Sequence, residues 1–112
     1  MEPVMYFIVN ADLIKQMGPG KIAAQVAHAA IDAYTHMPKD ALYQEWKHSG
    51  HAKVVLKAPE HVMNELHDKY RKRCCPVHDA GRTRIVADSF TVLGWHVMRK
   101  DELKELTELK LL

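Results

Sequence analysis

Residues 4–9 read VMYFIV, a short run in which every side chain is apolar and most are β-branched or aromatic. Such a run predicts a strand that is buried on both faces of a sheet. A loop containing Gly18, Pro19 and Gly20 follows, and then residues 21–37 read KIAAQVAHAAIDAYTHM. This alanine-rich stretch contains no Gly or Pro and precedes Pro38, so it predicts a long helix that ends there.

The rest of the chain alternates between the same two kinds of element. Asp40 is suited to cap a second helix that runs to about residue 49. Further strands are predicted at residues 53–56, 76–78 and 91–95, and further helices at 58–73 and 101–109. Buried strands that alternate with helices predict an α/β domain with helices on both faces of a largely parallel or mixed sheet.

Composition limits the class of protein. A chain of 112 residues with 47% hydrophobic residues and a net charge of +2 predicts one folded domain, residues 1–112, rather than a disordered chain. The two cysteines, Cys74 and Cys75, are adjacent and exclude a disulfide scaffold. Uncharged runs are far shorter than the about 20 residues of a membrane span. The first residues lack the pattern of a secretion signal, so a cytoplasmic location is predicted.

A narrow polar stripe runs along the predicted helix at residues 21–37. On a helical wheel its four members fall within about 60° of one another: Lys21, Gln25, His28 and Asp32. The stripe either faces a wet cleft, since a helix apolar nearly all round is usually buried, or is the solvent side of the helix with ordinary i,i+4 pairs. The preceding glycine-bearing loop favours the cleft, because a helix N-terminus presents free N–H groups to an anion.

Residues 79–83, DAGRT, bring an acid, a glycine, a guanidinium and a hydroxyl together. Asp79 is suited to orient water, and Arg82 to hold an oxyanion or phosphate. An ordinary turn with a solvated arginine is equally consistent with this sequence. If this segment forms a site, it and the polar stripe should converge on one cavity.

Two other clusters contain residues that could bind a ligand. The basic run at residues 69–73, KYRKR, suits either nucleic-acid phosphates or a solvated helix end. Nearby cysteines and histidines lack the spacing of a zinc site, so no metal is predicted.

Several motifs resemble those of one family, the type-2 peptidyl-tRNA hydrolases of archaea and eukaryotes. Residues 20–30, GKIAAQVAHAA, closely resemble its GKIAAQ-x-x-HAA signature. Residues 46–57 are similar to its W-x-x-x-G-x-x-KVV-x-K segment, and residues 79–83 with TVLG at 91–94 are similar to its DAGRT…TVLG segment. The terminal LKLL also resembles the family's LKL ending, so the resemblance covers essentially the whole chain in order.

The resemblance implies a three-layer α/β/α fold around a small mixed sheet of about four strands, and a homodimer. It implies a cytoplasmic translation enzyme that uses no metal or cofactor. Its substrate would be peptidyl-tRNA or N-acyl-aminoacyl-tRNA, whose ester bond it would hydrolyse to release the peptide and recycle the tRNA. A divergent member that binds tRNA or protein without catalysis is the alternative.

Site residues follow from the matching positions and from the chemistry of the loop. The predicted catalytic residues are Lys21, His28, Asp79 and Thr83, and the predicted substrate-binding residues are Lys15, Gly18, Gly20, Gln25 and Arg82. Asp79 would activate water, with His28 assisting, Lys21 would counter the developing negative charge, and Thr83 would hydrogen-bond the reacting group.

The chain departs from the family pattern at three places. Asn10 stands where the family usually has Arg, Pro19 where it has Lys, and Trp95-His96-Val97 where it has I-G-P. The loss of two cations predicts either a lower affinity for tRNA or tRNA contacts that are moved to Lys15 and residues 69–73.

Overall fold

The computed structural model describes residues 2–80 and 86–112. Its helices are α1 (Ile14–His36), α2 (Ala41–His48), α3 (Glu60–Lys69) and α4 (Lys104–Thr107). Its strands are β1 (Pro3–Asn10), β2 (Lys53–Ala58), β3 (Cys74–His78), β4 (Phe90–Trp95), β5 (Met98–Arg99) and β6 (Lys110–Leu111). Short 3-10 turns at Ala11–Leu13 and Arg71–Arg73 precede α1 and β3.

The strands form an open mixed sheet in the order β3-β4-β1-β2-β6, with β5 pairing beside the start of β1. β1 and β2 are parallel, whereas β4 is antiparallel to both β1 and β3. The predicted α/β class is confirmed, but the sheet has six strands rather than about four. The difference arises because β5 and β6 have two residues each and exist only through their pairing with β1 and β2.

β1 is buried along its whole length because helices cover both faces of the sheet. Val4, Tyr6 and Ile8 point to a core that α3 and α4 complete. Met5, Phe7 and Val9 point to a second core, completed by α1 and α2. Successive side chains of a strand face opposite ways, so an unbroken apolar run is what a three-layer arrangement requires.

The alanines of α1 allow this helix to pack closely on β4. Ala29 and Ala33 are fully buried, and a Cβ placed on Gly94 would lie 3.0 Å from the Ala29 Cβ and 3.1 Å from the Ala29 carbonyl oxygen. Small residues on both sides therefore set the distance between helix and sheet. This distance decides which side chains of α1 reach the end of β3.

α1 begins earlier than predicted, at Ile14 rather than at residue 21. Gly18 has a non-helical backbone (φ 72°, ψ 169°) and divides the helix into a first turn and a long second part. Pro19 then occupies the first position of the second part, where its missing N–H is harmless. The predicted break at the Gly-Pro-Gly segment is thus a kink between two helical pieces.

Two other helices are shorter than predicted. The helix expected at residues 58–73 is α3, which ends at Lys69 because Tyr70 leaves the helical region (φ −123°, ψ 36°). The helix expected at residues 101–109 is limited to the single turn of α4, because Asp101 has a positive φ of 63°. No described helix has the length and apolar character needed to cross a membrane.

Candidate active site

A charged pair joins the second part of α1 to the end of β3. Lys21 Nζ donates a hydrogen bond to Asp79 Oδ1, and the two residues lie 58 positions apart in the sequence. The Asp79 side chain is 2% exposed and that of Lys21 is 17% exposed. An ion pair this buried is poorly screened by solvent, so the attraction between its two charges is stronger than that of a pair on the surface.

The backbone of the segment before β4 holds Asp79 in place. The Asp79 N–H donates to the Ser89 carbonyl (2.9 Å), and the Asp88 N–H donates to the Asp79 carbonyl (2.7 Å). Asp88 adopts a positive φ of 66° at this turn. The carboxylate at the end of β3 is therefore positioned by main-chain bonds as well as by Lys21.

A second polar contact lies one helical turn beyond Lys21. Gln25 is buried on α1, and its Oε1 lies 2.5 Å from Oγ1 of Thr91, which is fully buried on β4. The same hydroxyl lies 3.2 Å from the carbonyl oxygen of Val77, two residues before Asp79. Thr91 thus links the glutamine of α1 to the strand that carries the acid.

The four residues of the polar stripe on α1 differ in their contacts and in their exposure to solvent. His28 and Asp32 pair with each other at 3.3 Å, with side chains that are 55% and 36% exposed. They form the ordinary i,i+4 pair of the solvent interpretation, whereas Lys21 and Gln25 fit the cleft interpretation. The first two members of the stripe therefore contact residues at the end of β3 and on β4, whereas the convergence of the whole stripe on one cavity stays a prediction.

The face of α1 turned away from the stripe is also not as expected for a helix buried all round. Ala23, Ala27, Ile31 and Tyr34 are exposed, and Ile31 is exposed to 67%. An apolar groove of about 800 Å³ lies beside this face, between α1 and β2. Val26 and Ala30 of α1 line this groove together with Lys53 and Val55 of β2.

The remaining predicted site residues lie either near the start of α1 or outside the residues that the structure describes. Lys15 is exposed on the first turn, Gly18 is half-buried at the kink, and Gly20 is exposed just after it. Arg82 and Thr83 lie outside the described residues, so their predicted roles stay predictions.

Asn10, which departs from the family pattern, has a structural role that the sequence did not predict. Its fully buried side chain donates from Nδ2 to Glu60 Oε1 (2.9 Å) and to the Phe90 carbonyl (2.7 Å). Its Oδ1 accepts a hydrogen bond from the Asp12 N–H at 2.9 Å. These bonds fasten the end of β1 to the starts of α3 and β4, and the signal was a polar residue that ends a wholly apolar strand.

Neither cysteine has the character of a nucleophile. Burial raises the pKa of the Cys74 thiol to about 12, and burial followed by the nearby Asp32 carboxylate raises the pKa of Cys75. Both side chains are therefore protonated near neutral pH, when the thiolate is the reactive form. Among the described residues, no three histidine, cysteine or acidic side chains are grouped so that they could hold a metal ion.

Comparison with known proteins identifies the family of this chain. A family described as "Peptidyl-tRNA hydrolase PTH2" matches residues 3–112, which include both α1 and Asp79. This chain belongs to that family. Membership means that the α1 helix and the end of β3 come from a scaffold shared with other members, which fits the predicted type-2 resemblance.

Individual relatives cover the chain to different extents. Peptidyl-tRNA hydrolase 2 of Saccharomyces cerevisiae is 40% identical over 96% of this chain and 57% of its own length. The mitochondrial peptidyl-tRNA hydrolase 2 of Bos taurus is 44% identical over 80% of this chain and 52% of its own. This chain therefore spans about half the length of these two relatives. Peptidyl-tRNA hydrolase of Methanococcus vannielii is 36% identical over 94% of this chain and 95% of its own length.

Proposed function

We propose that this chain, as a single domain of residues 1–112, hydrolyses the ester bond of peptidyl-tRNA or N-acyl-aminoacyl-tRNA in translation. The observation that carries the proposal is the ion pair between Lys21 and Asp79, which places a cation and a carboxylate together at the end of β3. Membership of the family and the names of the relatives identify the substrate class. The products are a free peptide and a tRNA with a free 3′-terminal ribose.

Asp79 is proposed to orient and deprotonate the attacking water. The water oxygen then adds to the ester carbonyl, and Lys21 counters the negative charge that develops on the carbonyl oxygen. Collapse of the tetrahedral intermediate breaks the bond to the ribose oxygen, which takes up the proton that Asp79 removed from the water. Hydrogen-bond donors and charges that the fold already holds in position stabilise the transition state well, because they need no reorganisation during the reaction.

The other predicted residues receive supporting roles. Thr83 is proposed to hydrogen-bond the reacting group, and His28 to assist proton transfer from its exposed position on α1. Gln25, together with Gly18 and Gly20 beside the helix N-terminus, is proposed to hold the acceptor end. Arg82 and Lys15 are proposed to contact tRNA phosphates.

The direct test is single-turnover hydrolysis of N-acetyl-aminoacyl-tRNA by the purified chain. Release of the N-acetyl-amino acid with intact tRNA is expected, and a chelator is expected to leave the rate unchanged. Asp79→Asn is the matched control and should abolish the release. Binding of tRNA by the unmodified chain without turnover would contradict the proposal and support the non-catalytic alternative.

A homodimer is a further part of the proposal. The exposed face of α1 carries small residues, Ala23 and Ala27, beside the larger Ile31 and Tyr34, and it borders the groove of about 800 Å³. Small residues let a second copy of the helix approach closely, and an apolar patch of this kind marks an association surface. Light scattering should report twice the mass of one chain, and Ile31→Lys should return the single-chain mass.

We also propose that the protein acts in the cytoplasm. Cys74 and Cys75 are free, which fits a reducing compartment. The name of the bovine relative includes "mitochondrial", so imaging of the tagged chain in its own cells should decide the location. Co-localisation with a mitochondrial marker would contradict this part of the proposal.

A further inference from the structure

A polar groove of about 610 Å³ lies along the outer side of β3. The second half of α1 forms one wall, and the end of α3 with the turn that follows it forms another. Its floor is the beginning of β3, where Cys75 and Pro76 lie. Nothing in the proposed hydrolytic chemistry uses this groove.

The side chains that line the groove combine cations with flat rings. Arg71 and Lys72 are exposed and carry full charges, while His36, His67 and His96 contribute imidazoles. Desolvation by burial, followed by neighbouring cations, lowers the pKa of His67 and His96. These two rings are therefore neutral near pH 7 and are available to stack or hydrogen-bond.

This combination matches the chemistry of a nucleic acid. Phosphates are bound by exposed arginine and lysine side chains, and unpaired bases stack on aromatic or imidazole rings. Asp32 is the one acidic residue among the described residues that line the groove, and it is engaged with His28 at 3.3 Å. Arg71 also pairs at 2.9 Å with Asp68, which does not line the groove. The lining itself, with two cations and one carboxylate, therefore has a net positive charge.

The edge of the sheet disfavours a protein strand as the occupant. β3 is the outermost strand on this side of the sheet. A peptide that added a strand here would need regular backbone donors, but Pro76 in the middle of β3 has no N–H. A sugar–phosphate backbone needs only some of these donors, so it fits the edge better than a peptide does.

The distance between the groove and the reacting ester follows from the position of the groove relative to Lys21, beside which the ester is proposed to lie. Lys21 meets Asp79 after the end of β3, while Asp32 lines the groove beside the start of β3, so α1 and β3 run in opposite directions. Asp32 follows Lys21 by about three helical turns, which corresponds to about 16 Å. Stacked nucleotides advance about 3.4 Å each, so this distance spans about five nucleotides.

We propose that this groove binds the tRNA backbone about five nucleotides from the scissile ester, with Arg71 and Lys72 on its phosphates. The inference rests on the proposed function, because that function supplies the substrate and places its 3′ end at Lys21 and Asp79. It adds a binding surface that no catalytic role requires. The proposal thereby assigns to the basic run at residues 69–73 a specific part of the tRNA that it binds.

The test compares two substrates of different length. One is full-length N-acetyl-aminoacyl-tRNA, and the other is a fragment with only the last two nucleotides, which is too short to reach the groove. Arg71→Ala with Lys72→Ala should raise KM for the full-length substrate about tenfold, leave kcat unchanged, and reduce the salt dependence of log(kcat/KM) by about 2. Neither constant should change for the fragment.

Two further variants sharpen the result. Lys104→Ala with Lys110→Ala removes two exposed cations from α4 and β6 and should leave KM unchanged. Asp32→Asn removes the carboxylate from the groove and should lower KM for full-length tRNA about two- to threefold, an effect that lost stability would not produce. An equal change on both substrates, or an equal effect of the control pair, would overturn the inference.

Failure of the inference can be separated from failure of the proposed function. If the unmodified chain hydrolyses both substrates and the groove variants behave like it, then the groove is not the phosphate site, and a protein partner becomes the better occupant. If the chain hydrolyses neither substrate, filter binding of deacylated tRNA still tests the groove. Equal affinity of the unmodified chain and the Arg71/Lys72 variant would then overturn it.

Discussion

The two halves of the polar stripe on α1 look alike in sequence and differ in structure. Lys21 and Gln25 are covered by the sheet and bonded to Asp79 and Thr91, residues from distant strands. His28 and Asp32 are partly exposed and pair with each other across one turn of their own helix. All four are hydrophilic residues on nearly the same side of the helix.

The difference shows that a tertiary partner, and not the spacing along a helix, turns a polar side chain into a component of a site. On the helical wheel Gln25 lies about 60° nearer than His28 to the buried ridge of Ile22, Ala29 and Ala33. Lys21 has a long flexible side chain and reaches Asp79 from the edge of that ridge. The catalytic and energetic consequences should follow the same division.

The largest effect is expected from breaking the buried pair. Lys21→Met keeps the aliphatic chain but removes the charge, so single-turnover hydrolysis should fall by about 10²–10³. The free energy of unfolding should fall by about 3–5 kcal/mol, because the variant breaks a buried ion pair. Stopped-flow or quenched hydrolysis and urea unfolding measure the two effects.

A double variant separates the two consequences. Lys21→Met with Asp79→Asn removes both charges of the pair, so most of the lost unfolding free energy should return while hydrolysis stays absent. Activity that returned together with stability would show that the pair acts only on folding.

An intermediate effect is expected at the second contact of the buried half. Thr91→Val preserves the shape of the side chain but leaves the Gln25 carbonyl oxygen buried without its donor, which should reduce the free energy of unfolding by about 1–3 kcal/mol. Thr91→Ser keeps the hydroxyl and is the matched control. If Thr91→Val and Thr91→Ser reduce stability and activity equally, the hydroxyl of Thr91 has no part in holding Gln25.

The smallest effect on stability is expected from the exposed half. His28→Ala removes the partner of Asp32, yet exposed ion pairs contribute little, so the free energy of unfolding should change by less than about 0.5 kcal/mol. Thermal unfolding at low and high salt measures this change. A loss comparable with that of Lys21→Met would show that the two halves are not different after all.

The same variant tests how His28 takes part in the reaction. An assisting group at an exposed position should affect single-turnover hydrolysis less than Lys21 does, and its contribution should depend on pH. A rate for His28→Ala equal to that of the unmodified chain at every pH would remove His28 from the mechanism.

Much of the fold could be predicted because its signals are local. The apolar composition of β1 predicts its burial, and the alanine-rich composition of residues 21–37 predicts a helix, and both are found, although α1 begins seven residues earlier. Asp40 caps α2 by accepting a hydrogen bond from the Tyr43 N–H at 3.0 Å, as its residue type indicated. Such features depend only on residues close in the chain.

Features that depend on distant partners were missed or only partly predicted. The strands β5 and β6 have too few residues to show a pattern, and Asn10 shows its role only through bonds to Glu60 and Phe90. The helical turn before Gly18 was hidden because a Gly-Pro-Gly segment normally indicates a loop.

The amino-acid sequence by itself determined the layer order, the long helix and the chemical types present at the site, because hydrophobic periodicity and turn chemistry act over a few residues. Only the tertiary structure decided that Lys21 meets Asp79 across 58 positions, and that His28 faces solvent. The physical reason is that the close approach of Ala29 to Gly94 sets where α1 lies on the sheet. Burial and ion pairing at each polar residue follow from that position.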